Sequence, residues 1–309
     1  MPLNKSLKIM VYVHIYYHDM WNELETCIEN LKSFDHLSFD LVVTVAKDDQ
    51  FLFERLKAFK SDVKIIKVLN KGYDLGPFVE VLNIVDLDKY DYLIKLHTKR
   101  DIPYYHELNH FILTGQRWRH KLLSFISSRT DLKKCFQCLE NDDNAGLIAN
   151  YALFSRLCCN KGNETENWIF NEAEKLLKKM GLQPYPQDNC VHVSGTMFIM
   201  RCKLLNPLKK LNLSINSFKA VERENIKDLP HVLEVLLGWM TTSQTNNRGQ
   251  HYRIIDPFSS KIFKVIALIR YLLPYRLIRK IIRFVYRIEV DPEGKFKIIK
   301  IFKIPVLKL

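Results

Sequence analysis

The run Tyr90-Asp91-Tyr92-Leu93-Ile94-Lys95-Leu96-His97-Thr98-Lys99 leaves few folds open to this chain. An apolar, β-rich stretch that closes on an imidazole, a hydroxyl and an ammonium reads as a parallel strand covered on both faces. Such a strand delivers its polar end to the carboxyl edge of a sheet, where open α/β sheets bind their ligands. The residues before it strengthen that reading. Lys8–Tyr17, Phe39–Ala46 and Val63–Leu69 predict three earlier strands, and Asp19–Leu31, Asp48–Phe59 and Phe78–Val85 predict the helices between them, with Asp19 as an N-cap. Four βα units in succession predict an α/β protein with a right-handed, mostly parallel sheet. Further on, Glu107–Ser128, Glu164–Met180 and Pro230–Met240 predict helices, and Ala145–Ala149 and Val191–Met200 predict strands.

Charge divides the chain. The formal net charge of the 309 residues is +13, and residues 261–309 hold thirteen Lys and Arg against three Asp and Glu, a net of +10. The remaining +3 is spread over 260 residues, which argues against a surface that coats nucleic acid and for a basic appendage with its own partner. Within the appendage Arg276, Arg279, Lys280, Arg283 and Arg287 form one helical stripe, and Leu277, Ile278, Ile281, Ile282 and Val285 the opposite one. Two readings stay open: a peripheral anchor on anionic lipid, or a helix whose apolar stripe packs on the main domain. Nucleic acid is disfavoured, because few aromatics interleave with the cations. The polar loop Thr241–Gln250 is the expected boundary, giving domains 1–250 and 251–309.

Seven cysteines form no disulfide ladder, and Cys135-x-x-Cys138 has no further ligand pair at zinc-binding spacing. Ile9–Tyr17 is too short for a leader and lacks a small-residue cleavage site; no uncharged apolar run reaches membrane-spanning length. Reduced thiols and a cytoplasmic location, peripheral on the inner membrane face, are the expectation.

Three constellations hold candidate chemistry. The turn Asn70-Lys71-Gly72-Tyr73-Asp74-Leu75-Gly76-Pro77 lies between a strand and a helix. Gly72 permits close backbone approach, and Asn70 and Asp74 offer acceptors for a ribose, a base or a metal; a plain tight turn with Asp74 capping the next helix is the alternative. At His97-Thr98-Lys99 a cation can neutralise a diphosphate leaving group. Gly195 inside Val191–Met200 suggests that something approaches the backbone there, either a substrate or a packed helix. His231 and Glu234, one helical turn apart, can furnish a general base, with Glu222 and Glu224 as rivals.

Val13-His14-Ile15-Tyr16-Tyr17, Asn70-x-Gly-Tyr-Asp74-x-Gly-Pro, the strand ending at Lys99, and Gly195-Thr-Met-Phe-x-x-Arg201 occur in the order that resembles the rhamnan synthesis F family. Those are bacterial glycosyltransferases of cell-surface polysaccharide and lipopolysaccharide assembly. The resemblance covers roughly residues 8–240 and includes the His231-x-x-Glu234 helix. It implies a GT-A-like nucleotide-sugar-binding domain and transfer of a sugar, often L-rhamnose, to a growing glycan or lipid-linked glycan. On it, His14, Asn70, Gly72, Asp74, His97, Thr98 and Lys99 would bind the nucleotide-sugar. Gly195, Thr196 and Arg201 would line the acceptor side, and Glu234 with His231 would be catalytic. The fold usually holds Mg²⁺ or Mn²⁺ on an Asp-x-Asp after the fourth strand, where this chain has His97-Thr98-Lys99. Either Lys99 replaces the ion, or Asp74 and His97 share one. A non-catalytic subunit of a glycan assembly complex and a membrane-surface adaptor are the competing classes.

Overall fold

The expected alternation of strand and helix builds the centre of the molecule. In the computed structural model the described residues are 6–100, 106–108, 111–113, 115–159, 161–220, 227–258, 286–290, 297–301 and 304–308. They fall into two units, Met1–Phe258 and Ser259–Leu309. In the first, β1 (Leu7–Ile15), α1 (Trp21–Glu29), β2 (Leu37–Val45), α2 (Gln50–Phe59), β3 (Lys64–Lys67), α3 (Leu75–Ile84) and β4 (Tyr92–His97) follow one another as predicted. Next come the short β5 (His106–Leu108) and β6 (Phe111–Leu113), then α4 (Gly115–Leu123) and α5 (Arg129–Asn141). The single long helix expected over 107–128 is therefore a small two-stranded pair followed by a shorter helix. The unit is completed by β7 (Ala145–Ile148), β8 (Phe154–Cys158), α6 (Glu164–Lys179), β9 (Asn189–Val193), β10 (Phe198–Arg201), α7 (Leu229–Thr242) and β11 (Arg253–Ile255).

Seven strands form the main sheet in the order β11-β7-β10-β4-β1-β2-β3. All run in one direction except β10, which is antiparallel to both of its neighbours. Both faces are covered, and that is why β1 and β4 read as unbroken apolar runs: eight of the nine residues of β1 and all six of β4 are buried. The chain lays β2 and β3 on one side of β1, then crosses to lay β4 on the other. The gap between the carboxyl ends of β1 and β4 is thus a topological switch point, the usual place for a ligand crevice in such a sheet.

Two boundaries differ from expectation. The stretch Val191–Met200 is not one strand. It breaks at residues 194–197 into β9, which pairs with β8, and β10, which pairs with β4. The cause is a pair of left-handed residues, Gly195 at φ 85° and Thr196 at φ 51°, which no continuous strand accommodates. The first unit also extends past residue 250. Tyr252 is buried, β11 adds to the sheet edge beside β7, and Asp256 accepts a hydrogen bond from the Tyr151 amide.

In the second unit β12 (Tyr286–Val290), β13 (Lys297–Ile301) and β14 (Ile304–Lys308) make an antiparallel three-stranded sheet. The basic stripe expected at Arg276–Arg287 lies outside the described residues, apart from its last position at the start of β12.

Candidate functional site

At the switch point the parallel register sets His14 of β1 beside His97 of β4. Both rings are buried. His14 Nδ1 meets the Thr44 hydroxyl at 3.0 Å, and the Tyr12 hydroxyl meets the same Thr44 oxygen, also at 3.0 Å. Burial pushes the His14 imidazole down to about 3, against the opposing pull of Asp74, so the ring is neutral at physiological pH. His97 is likewise lowered by burial, with Asp74 again opposing. Its Nε2 donates to the Gly195 carbonyl at 2.8 Å, and its Nδ1 lies 3.2 Å from the Thr98 carbonyl.

Two positions before His97, on the same side of the strand, stands a residue the sequence reading passed over. Lys95 is fully buried in the middle of the sheet. Its ammonium donates to Asp74 Oδ2 at 2.5 Å, to the Thr196 carbonyl at 3.1 Å and to Thr196 Oγ1 at 3.0 Å. All three of its hydrogens are thereby used. Asp74 also accepts from the Thr196 hydroxyl at 2.5 Å and lies 4.0 Å from His97 Nε2. Burial alone would raise the Asp74 carboxyl. The charges of Lys95 and His97 and the two hydrogen bonds outweigh it, and hold the group far below the usual carboxylate range. The one signal in sequence was a lysine flanked by Leu93-Ile94 and Leu96, since a charge at the centre of a two-sided strand requires a partner.

Asp74 reaches this position because the β3–α3 turn is tight. Gly72 has φ 69°, and a Cβ there would fall 2.4 Å from the Phe218 ring. A Cβ on Gly76 would come 2.2 Å from the Lys71 carbonyl. Asn70, in the same turn, is exposed. Glu234 approaches from α7, and its Oε1 accepts from the Gly195 amide at 2.7 Å. Burial raises the Glu234 carboxyl above its ordinary range, with the Gly195 hydrogen bond opposing. Gly195–Thr196 is thus held by four side chains: Glu234 on an amide, His97 on a carbonyl, Lys95 on a carbonyl and hydroxyl, and Asp74 on the hydroxyl.

The remaining predicted residues divide. Lys99 stays at the crevice, its ammonium 4.7 Å from the Trp118 ring centroid. The Thr98 hydroxyl accepts from the Tyr16 and Tyr17 amides at 3.0 and 3.1 Å, which ties down the chain leaving β1. His231, at the start of α7, contacts Asp228 at 2.6 Å and faces Tyr73 with ring centroids 6.0 Å apart. Arg201, expected on the acceptor side, belongs elsewhere. It pairs with Tyr92, the first residue of β4, and so lies roughly 17 Å from His97 at ~3.3 Å per residue. Its guanidinium donates to the carbonyls of Ala145, Leu139 and Asp142, closing the opposite end of the sheet.

Glu222 and Glu224, the rival bases, lie outside the described residues, and the described residues do not suit a divalent ion. Among the described residues no group of three or more His, Cys, Asp and Glu side chains is arranged to hold a metal. A dication on Asp74 would also sit ~4–5 Å from the buried Lys95 ammonium, a repulsion of about 7 kcal/mol at an effective dielectric of 20.

Beyond β1 and β2, a cleft of about 280 Å³ is lined by His18, Asp19, Asn22, Asp49, Phe51 and Arg55, among others. His18 contacts Asp49 at 2.7 Å, and Phe51 is 72% exposed.

A mostly parallel sheet with buried titratable groups converging on its switch point defines an α/β protein with a candidate ligand site at the carboxyl edge. The chain belongs to the rhamnan synthesis protein F family, whose sequence profile matches residues 2–246. It is 25% identical over 177 residues to the protein WxcX of Xanthomonas campestris pv. campestris, across 56% of this chain and 23% of that protein. The chain thus spans well under half the length of the curated relatives it matches. Among solved structures it resembles S. aureus TarS 1–349 at 11% identity and TM-score 0.41, over 86% of this chain and 65% of that one. Glucosyl-3-phosphoglycerate synthase from Mycobacterium tuberculosis, solved with Mn²⁺, uridine diphosphate and phosphoglyceric acid, aligns at 10% identity and TM-score 0.37, over 98% and 89%. The galactosyltransferase LgtC with donor and acceptor sugar analogues aligns at 10% and 0.31, over 73% and 70%.

Proposed function

We propose that the chain is a glycosyltransferase of surface-polysaccharide synthesis that moves a sugar, often L-rhamnose in the resemblance drawn above, from a nucleoside diphosphate onto a growing glycan. The observation that carries this reading is the convergence of Asp74, His97, Glu234 and Lys99 on one end of a sheet whose family is named for polymer synthesis. Lys99 is the cation for the diphosphate. The exposed Phe51 ring and the polar lining of its cleft suit the nucleoside. Asp74, held in place by Lys95, faces the sugar, and Gly195–Thr196 forms the wall on the acceptor side.

Glu234 is the general base of a single displacement. With Oε1 engaged by the Gly195 amide, Oε2 takes the proton of the acceptor hydroxyl. The acceptor oxygen bonds to the anomeric carbon while the bond from that carbon to the diphosphate oxygen breaks, and the diphosphate leaves with the electron pair beside Lys99. The basic C-terminal segment would hold the enzyme at an anionic membrane surface, close to a lipid-linked acceptor.

One observation favours a second reading, the non-catalytic subunit. His97, Lys95, Asp74 and Glu234 all spend hydrogen bonds on the Gly195–Thr196 turn, as groups with a purely architectural duty would.

Thermal-shift and calorimetric titration with UDP-, GDP- and dTDP-sugars separates the two. A donor at 100 times its dissociation constant stabilises the fold by about 2.7 kcal/mol. The enzyme reading expects one nucleotide class to do so and Lys99→Ala to abolish the shift. If no nucleotide-sugar shifts the melting temperature, the glycosyltransferase assignment fails and the non-catalytic reading replaces it.

A further inference from the structure

We infer that nucleotide binding at this crevice needs no divalent cation, because the charge balance a metal would supply is built into the sheet as Lys95. The inference rests on the donor-site reading above. Each described carboxylate near the crevice already has at least one oxygen engaged, and the nearest, Asp74, is paired with a buried cation. Asp74 Oδ2 is shared by Lys95 and the Thr196 hydroxyl. Glu234 Oε1 holds the Gly195 amide. Around the neighbouring cleft, Asp49 caps α2 at the Leu52 amide and pairs with His18, Asp48 pairs with Lys67, and Asp19 pairs with Arg100. The His97 imidazole is committed too, its Nε2 donating to the Gly195 carbonyl and its Nδ1 lying against the Thr98 carbonyl.

Lys95 cannot swing aside to release Asp74. It is fully buried, and its three donors have three acceptors, so leaving them would strand a bare ammonium in the sheet. Its own role is positional. It cancels the Asp74 charge, so that a diphosphate entering beside Lys99 does not meet an unpaired carboxylate, and it fixes Thr196 in its left-handed conformation. A metal in other sites of this chemistry does the first of these tasks by binding the diphosphate directly.

The test is calorimetry of the full chain with UDP, GDP and dTDP, once in excess EDTA and once in excess Mn²⁺ or Mg²⁺. The expected result is one nucleoside diphosphate whose Kd differs by less than about threefold between the two conditions. Lys95→Ala, which bares Asp74, should weaken that ligand in EDTA and make its binding responsive to Mn²⁺. The paired variant Lys95→Met with Asp74→Asn, which removes both charges and leaves no bare carboxylate, should stay indifferent to metal even if Lys95→Ala fails to fold. Wild-type binding that improves tenfold or more with Mn²⁺ overturns the inference and leaves the donor-site reading standing. Absence of binding for every diphosphate in both conditions overturns the donor-site reading, and this inference with it.

Discussion

Thr196 sits in the left-handed region, which costs a residue with a side chain free energy, Gly195 beside it takes φ 85°, and four ionisable groups hold the pair there. Glu234 is the member whose two possible duties can be separated. Replacement by Gln keeps an oxygen for the Gly195 amide but cannot take a proton. Glu234→Gln should therefore lower kcat by about 10²-fold or more with donor KM almost unchanged. Its stability should match or exceed that of the parent at neutral pH. The sign follows from the raised carboxyl: a folded-state pKa above the unfolded one contributes stability at low pH that is lost as pH rises, and Gln abolishes that loss. Glu234→Ala strands the Gly195 amide as well and should cost about 1–3 kcal/mol. In the parent, kcat/KM should fall as pH drops through a value above the ordinary glutamate range. Loss of donor binding in Glu234→Gln, with no loss of turnover at saturating donor, would remove Glu234 from the base role. His97 and Asp74 were legible because each sits where a strand or turn opens onto the carboxyl edge. Lys95 was not, because its meaning comes from Asp74, twenty-one positions away, and from Thr196, over a hundred away.

At the level of elements, the parallel core was legible because β1 and β4 are covered on both faces and write that burial as continuous apolar runs. The break between β9 and β10 was not. Both halves are apolar, and only left-handed backbone at Gly195–Thr196 divides them, a conformation imposed by contacts from β4 and α7. The same division explains Arg201. Because β10 runs antiparallel to β4, its last residue lies at the opposite end of the sheet from His97. There the guanidinium satisfies three carbonyls at the end of α5 and the start of β7. Arg201→Met should lower stability by about 2–4 kcal/mol, read from chemical denaturation, since it leaves several buried acceptors unpaired. Nucleotide affinity in the folded fraction should be unchanged. A selective loss of acceptor use without loss of stability would return Arg201 to the acceptor side.

For the molecule as a whole, the two units make different demands. The first closes its core at Phe258, with β11, Tyr252 and Asp256 supplied by residues that a boundary at 250 would discard. The second pairs three strands whose register sets Ile288, Ile299 and Leu307 in one cross-strand row and Arg287 and Lys300 in another. With the cations upstream, this segment holds most of the chain's excess positive charge. Each cation near an anionic lipid surface contributes roughly 1 kcal/mol, so a net of +10 is ample for salt-sensitive association. Residues 1–258 should fold alone with cooperative melting, whereas a chain ending at 250 should melt lower or aggregate because the β7 edge is bare. The full chain should co-sediment with phosphatidylglycerol-rich vesicles at low salt, and should bind weakly to phosphatidylcholine vesicles. Residues 1–258 should bind neither while keeping their affinity for nucleotide. Equal binding of the full chain to both vesicle types, or undiminished binding of 1–258, would move the membrane contact off the basic segment and onto the first unit.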